Sequence, residues 1–140
     1  CFTIDTDATQ AVVGFSKNRT FELGNVTIQP ENRFSAIYVT AQESNGDILS
    51  SQKILVVAMA RARNTGMKLN EAEDQIQDRG DSPILLESVK AKISLKRPGR
   101  PEVYLLDHDG MRTQKTLPVQ NNTFEIDGAR DKTCYYLITY

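Results

Sequence analysis

Apolar and polar residues alternate along most of the chain with a period of two, the repeat of a strand that buries one face and wets the other. Phe2 and Ile4 fall on one side of the first such segment, Thr3 and Asp5 on the other. Similar segments follow at 11–15, 20–23, 25–28 and 34–40, the last rich in β-branched and aromatic residues that favour strands. Asn45-Gly46 is a favoured pair for a tight turn. Residues 51–62 then predict one long strand. Its centre, ILVVAMA at 54–60, is apolar at both parities and predicts cover on both faces. In this reading Leu55, Val57, Met59, Arg61 and Arg63 share one face of that strand, which turns from apolar to cationic where it leaves the core.

Residues 64–82 break the pattern. They are polar, contain Gly66 and Gly80, and predict a long excursion between strands. Within it, 69–77 predicts a short helical turn capped by Asn70, with Glu71, Glu73 and Asp74 in its first turn. Alternation then resumes. Val89, Ala91, Ile93 and Leu95 point one way; Lys90, Lys92, Ser94 and Lys96 point the other. Further strands are predicted at 103–106, 113–117, 123–126 and 133–140, with turns at Arg97–Arg100, Asp107–Gly110 and Asp127-Gly128. Short strands at close spacing, with Gly, Asn and Asp turns, predict an all-β antiparallel β-sandwich of jelly-roll or immunoglobulin-like type. No strand–helix alternation supports an α/β fold.

The 140 residues suit one domain spanning 1–140. Cys1 at the first position reads as a piece cut from a longer, multidomain protein, or as a lipoprotein cysteine. Cys1 and Cys134 are either one long-range disulfide or two separate thiols, and the count does not fix the compartment. Seventeen basic against eighteen acidic residues give a net charge of −1. That balance argues against nucleic acid, which needs a concentrated positive face, and against an electrostatic membrane anchor. No apolar run approaches the roughly 20 residues of a membrane helix.

Candidate chemistry is sparse. The one histidine, His108, reads as an exposed residue of the turn Asp107-His108-Asp109-Gly110. With Cys1 and Cys134 scattered, no zinc spacing exists. No Gly-x-Ser-x-Gly elbow and no phosphate loop are present. The acidic residues of the excursion read as solvated, so no catalytic pair is expected and no cofactor other than calcium. Asp107 and Asp109 are the calcium candidates, although the downstream glutamate of an EF-hand loop is missing. The tripeptide Arg79-Gly80-Asp81 is short enough to arise by chance, and the sequons at Asn18, Asn25 and Asn121 matter only in a source that glycosylates its secreted proteins. Lys90, Lys92, Lys96, Arg97 and Arg100 form a basic strip that is either a solvated strand face or a contact for an anionic polymer. There is no Trp, which disfavours a flat sugar-stacking platform. Of five Tyr, Tyr135 and Tyr136 are neighbours on one strand, so one faces in and one out. Arg61, Arg63, Asn64, Tyr104 and Tyr135 are the candidate carbohydrate-binding residues.

The segment SSQKILVVAMARARNTGM at residues 50–67 resembles the C-terminal β-sandwich domains of bacterial glycoside hydrolases with a clan A TIM barrel, of the agarase and porphyranase type. Further pieces stand in the matching order: IDT at 4–6, VG at 13–14, TFELG at 20–24, GDSPILLESV at 80–89, VYLLD at 103–107 and TCYY at 133–136. Arg63 and Leu69 stand where that family carries Glu and Trp. The resemblance implies a non-catalytic accessory module that helps to hold a galactan-type or other polar or anionic polysaccharide. The alternative it implies is a purely structural domain packed on the catalytic barrel of the same chain. It also implies a secreted, periplasmic or cell-surface location.

Overall fold

The structure, a computed structural model, describes residues 1–140. The alternating segments form two sheets in which every neighbouring pair is antiparallel. The wide sheet has seven strands, in spatial order β1 (Phe2–Asp5), β2 (Thr9–Phe15), β5 (Phe34–Ala41), β6 (Lys53–Met59), β15 (Tyr135–Thr139), β12 (Glu102–Leu106) and β13 (Arg112–Leu117). The narrow sheet has four: β14 (Thr123–Asp127), β11 (Lys90–Leu95), β4 (Val26–Pro30) and β3 (Phe21–Glu22). Two small ribbons stand outside them, β7 (Ala62–Thr65) with β10 (Asp81–Leu86), and β8 (Lys68–Leu69) with β9 (Ile76–Asp78). The only helix is the single turn α1 (Gly128–Asp131).

One seam of 22 buried residues joins the two sheets. Ile37, Val39, Ile54, Val56 and Ile138 come from the wide sheet; Ile28, Ile93, Phe124 and Ile126 come from the narrow one. Each is the inward residue of an alternating pair. Burying one such side chain stabilises by about 1.5–3 kcal/mol, so the seam dominates the fold's stability.

Seven strands are wider than four, and the surplus inner face is closed by other means. At the β1–β2 side the plug is polar. Gln10, 1% exposed, donates from Nε2 to Asp5 Oδ1 at 2.7 Å and accepts from the Asn25 N–H at 2.9 Å. Asp5 accepts from the Gly24 N–H, and a β-carbon on Gly24 would come within 3.0 Å of both side chains. Ser16 and Ser35, both fully buried, share a 2.8 Å hydrogen bond. At the β5–β6 loop, Arg97 Nη1 donates to the carbonyls of Ile48 and Ser51, and its guanidinium lies 3.7 Å from the Tyr140 ring centroid. Tyr140 in turn donates to Asn122 Oδ1, and Asn122 donates back to the Arg97 carbonyl. This circuit fastens the end of β11 to the β5–β6 loop and to the chain's last strand.

Four expectations are corrected. The predicted helical turn at 69–77 is the hairpin β8–β9. Asn70 does accept from two backbone N–H groups, of Asp74 and Gln75, but it closes a hairpin turn instead of opening a helix. The predicted strand 51–62 stops at Met59, and the chain leaves the sheet before β7, so Arg61 and Arg63 do not continue the face of Leu55 and Val57. Nor is that strand covered on both faces. Ile54, Val56 and Ala58 enter the seam, while Leu55 and Val57 are half-buried on a bare outer face and Met59 is 40% exposed. Finally, Asn45-Gly46 lies inside a longer loop at 42–52, which drops Ile48 into the core. Cys1 and Cys134 are free thiols. Cys1 lies against Gly14, where an added β-carbon would sit 2.6 Å from the Cys1 Cα.

The turn α1 supplies a buried ionic contact. Burial opposes charge on Asp131, but hydrogen bonds from Arg130, the Asp127 N–H and the Tyr136 hydroxyl outweigh it and lower the carboxyl below its ordinary range. The stability this carboxylate contributes is complete above its unfolded value of about 3.9 and is lost as pH falls through the lower folded value. Asp131→Asn is expected to lose about 1–2 kcal/mol in urea denaturation at neutral pH. The gap from wild type should close below about pH 4. A gap that stays constant with pH would assign the loss to packing instead of charge.

Candidate functional site

The outer face of the wide sheet carries a row of apolar side chains in cross-strand register: Ile4, Ala11, Tyr38, Val57 and Tyr135. The β12–β13 hairpin rises over one end of it. Its turn is held by Asp107, whose Oδ1 accepts from the N–H groups of Asp109 and Met111, and Gly110 turns it at φ 77°. Between hairpin and sheet lies a hollow of about 540 Å³. Leu55, Leu106, Leu137 and Tyr135 line it from the sheet; His108, Asp109, Met111 and Arg112 line it from the hairpin. The hollow therefore pairs apolar surface with an imidazole, a carboxylate and a guanidinium, the mixture that small-molecule sites use.

Tyr135 faces outward into this hollow, and Tyr136 is buried, donating to Asp131 Oδ2 at 2.8 Å. The neighbouring Cys134 side chain pushes the Tyr135 phenol above its ordinary value. Tyr104 stands beside the hollow and not in it. Its hydroxyl donates to the Glu102 carboxylate, which raises its pKa, and the Arg112 guanidinium lies 4.2 Å from its ring centroid. Arg112 thus links Tyr104 to the groove.

Arg61, Arg63 and Asn64 line a separate hollow of about 350 Å³ at the base of the β7–β10 ribbon, with Met67, Leu85, Leu86 and Glu87. Asn64 Nδ2 donates to the Arg79 carbonyl, across the mouth of the ribbon. Both arginines are paired internally. Arg61 bonds to the Glu73 carboxylate and, through Nε, to Glu87 at 3.1 Å; Arg63 lies 3.5 Å from Glu73. A third hollow, of about 170 Å³, lies between the other two and shares His108 with the first and Leu86 and Glu87 with the second. All five candidate residues therefore stand along or beside one line of depressions.

Sequence reasoning passed over several groups on that line. His108 is an exposed turn residue, as expected, but it also borders two of the hollows. Arg112 and Met111 follow a turn and carry no pattern that marks them. Arg33 and Glu73 join the arginine cluster from segments distant in sequence. The basic strip does not form a continuous surface, since Lys96 donates to the Leu23 carbonyl, Arg97 belongs to the Tyr140 circuit and Lys90 lies 3.6 Å from Glu31. Asp107 is occupied in capping its own turn, and nowhere do three carboxylate, imidazole or thiol groups converge as metal ligands would. No helix is long and apolar enough to cross a membrane. No family model, no curated protein and no solved structure matches the chain.

Arg61 ties the excursion together, since its side chain reaches Glu73 of the β8–β9 turn and Glu87 just after β10, and its carbonyl accepts from the Glu87 N–H. Arg61→Ala is expected to speed amide hydrogen exchange across residues 62–86 by about tenfold, with the seam strands unchanged. Uniform acceleration over the whole chain would show that the ribbon and the sandwich unfold as one unit.

Proposed function

We propose that this chain is a non-catalytic accessory module of a polysaccharide-degrading glycoside hydrolase and that it contributes carbohydrate binding along the line from Tyr135 to Arg63. The observation that carries the reading is the groove under the β12–β13 hairpin. Tyr135 and the leucines offer apolar surface to a sugar ring, and His108, Asp109 and Arg112 offer donors and an acceptor to its hydroxyls. The resemblance of residues 50–67 to the accessory domains of agarase-like enzymes supports the same reading. The polymer is of galactan type or another polar or anionic polysaccharide, and the location is secreted, periplasmic or at the cell surface. On this reading the domain leaves catalysis to a TIM barrel on the same chain.

A second reading is favoured by a different observation. The accessible surface, 8448 Å², exceeds by about 1,100 Å² the roughly 7,300 Å² expected of a compact monomer of 15.7 kDa. The β7–β10 ribbon accounts for much apolar exposure, with Ile84, Leu85 and Leu86 at 65%, 52% and 68%. One side of a standard interface buries about 800 Å². On this reading the domain is structural, and the surplus surface packs against the catalytic barrel without touching sugar.

Affinity electrophoresis and calorimetry against agarose, porphyran, xylan and alginate separate the two. The binding reading expects retention on at least one polymer, weakened about tenfold by Tyr135→Ala, the size of a typical aromatic hot spot. Failure to bind all four would leave the structural reading.

A further inference from the structure

We propose that Arg33, Arg61 and Arg63 form an anion-binding site, filled in this conformation by the chain's own Glu73, and that carboxylate or sulfate groups of an acidic glycan occupy it by displacing that side chain. Three guanidinium groups converge on one carboxylate. Arg33 Nη1 lies 3.2 Å and Arg63 Nη2 3.5 Å from Glu73 Oε1, and Arg61 Nη1 pairs with Oε2. Glu87 adds a second carboxylate, on Arg61 Nε. Three positive charges against two negative ones leave the cluster cationic. Its hydrogen-bonding capacity is also unfilled, because Arg63 Nη2 is buried and makes no hydrogen bond. Guanidinium forks bind planar oxyanions two donors at a time, and a sulfate or carboxylate supplies the acceptors that one glutamate cannot.

Glu73 is poorly suited to be a permanent occupant. Its φ is 58°, in the left-handed region that a residue with a β-carbon disfavours. It is carried by the β8–β9 hairpin, whose strands pair only with each other. Two-stranded hairpins of this kind are marginal in water by themselves. The turn keeps its own shape through Asn70, which bonds Asp74 and Gln75 locally. The hairpin is thus a flap that docks on the body through Glu73. Beside the cluster lies an aromatic surface that suits a sugar ring. Phe15 is 58% exposed, with Phe34 edge-on at 5.6 Å and the Arg33 guanidinium 5.7 Å from its ring centroid. An acidic pyranose presents the same pairing of an apolar face with a charged group.

The nature of the polymer rests on the reading of the previous subsection; the anion site does not, and sulfate alone tests it. The purified 140-residue domain is titrated by calorimetry with sodium sulfate, with digalacturonate as a carboxylate source and with a sulfated carrageenan disaccharide as a sulfate ester source. Glu73→Gln is expected to tighten sulfate by about three- to tenfold, the effect of removing one partly exposed ionic competitor. Arg63→Ala should abolish that gain. If Arg63→Ala does not fold, Arg33→Ala, on a half-exposed side chain, serves in its place. Anion binding to the wild type should accelerate hydrogen exchange at residues 68–78, because the flap is released. Whichever disaccharide shows the larger gain in Glu73→Gln identifies the charged group preferred. A sulfate gain with no binding of either disaccharide supports the site and removes the glycan. Equal sulfate affinity in wild type and Glu73→Gln, or slower exchange at 68–78 on binding, overturns the proposal.

Discussion

The structure depends on burying a wide sheet under a narrow one. Four strands of alternating residues cover the middle of seven, and the seam of Ile28, Ile93 and Ile126 against Ile37, Ile54 and Ile138 supplies the main driving force. What the narrow sheet leaves uncovered must be sealed by side chains that satisfy each other. Gln10 and Asp5 do so beside β1 and β2, and Arg97 with Tyr140 and Asn122 at the β5–β6 loop. Burying an amide or guanidinium is costly unless most of its hydrogen bonds are made, which is why these circuits pass through backbone groups as well as side chains, Arg97 Nε alone among the groups of these circuits being buried without a partner.

The same asymmetry shapes the candidate site. Nothing layers onto the outer face of the wide sheet, so Val57, Leu55, Leu137 and Tyr135 remain available there. The β12–β13 hairpin turns this bare surface into a groove. The chain between Met59 and Lys90 belongs to neither sheet; ion pairs of Arg61 with Glu73 and Glu87 hold it together, and the Arg33–Glu73 pair and hydrogen bonds from Asn32 to Glu87 and Ser88 fasten it to the β4–β5 connection. Partly exposed ion pairs are weak and sensitive to salt and competing charge. Two of the three arginines that meet at Glu73 stand in this segment.

The sandwich was legible because its strands carry a period-two code that survives in the structure almost residue for residue. Val89, Ala91, Ile93 and Leu95 are all buried, as the alternation demands. Tyr136 in and Tyr135 out follow from the same rule. The excursion was not legible, since its structure comes from turn chemistry and ion pairing, which carry no periodicity. Asn70 followed by three acidic residues satisfies the pattern of a helix start, yet the same side chain closes a two-stranded turn when the following residues have no apolar stripe to bury. The break after Met59 was invisible for a related reason. The run from Ile54 to Ala60 is apolar at both parities, and only tertiary context decides where such a run leaves a sheet. Of the site, the sequence marked Arg61, Arg63, Asn64, Tyr104 and Tyr135 but not Arg33, Glu73 or Arg112, whose roles come from segments meeting in space.

The β7–β10 ribbon has a consequence for handling the molecule. β10 pairs on one side only, so its other backbone edge offers free N–H and C=O groups alongside Ile84, Leu85 and Leu86. An unpaired edge flanked by such side chains is a template on which a strand from another molecule can add. Asp81 and Pro83 interrupt only its first half. Concentrated preparations of the domain will therefore be governed by edge-to-edge aggregation at this ribbon well before the sandwich itself begins to unfold.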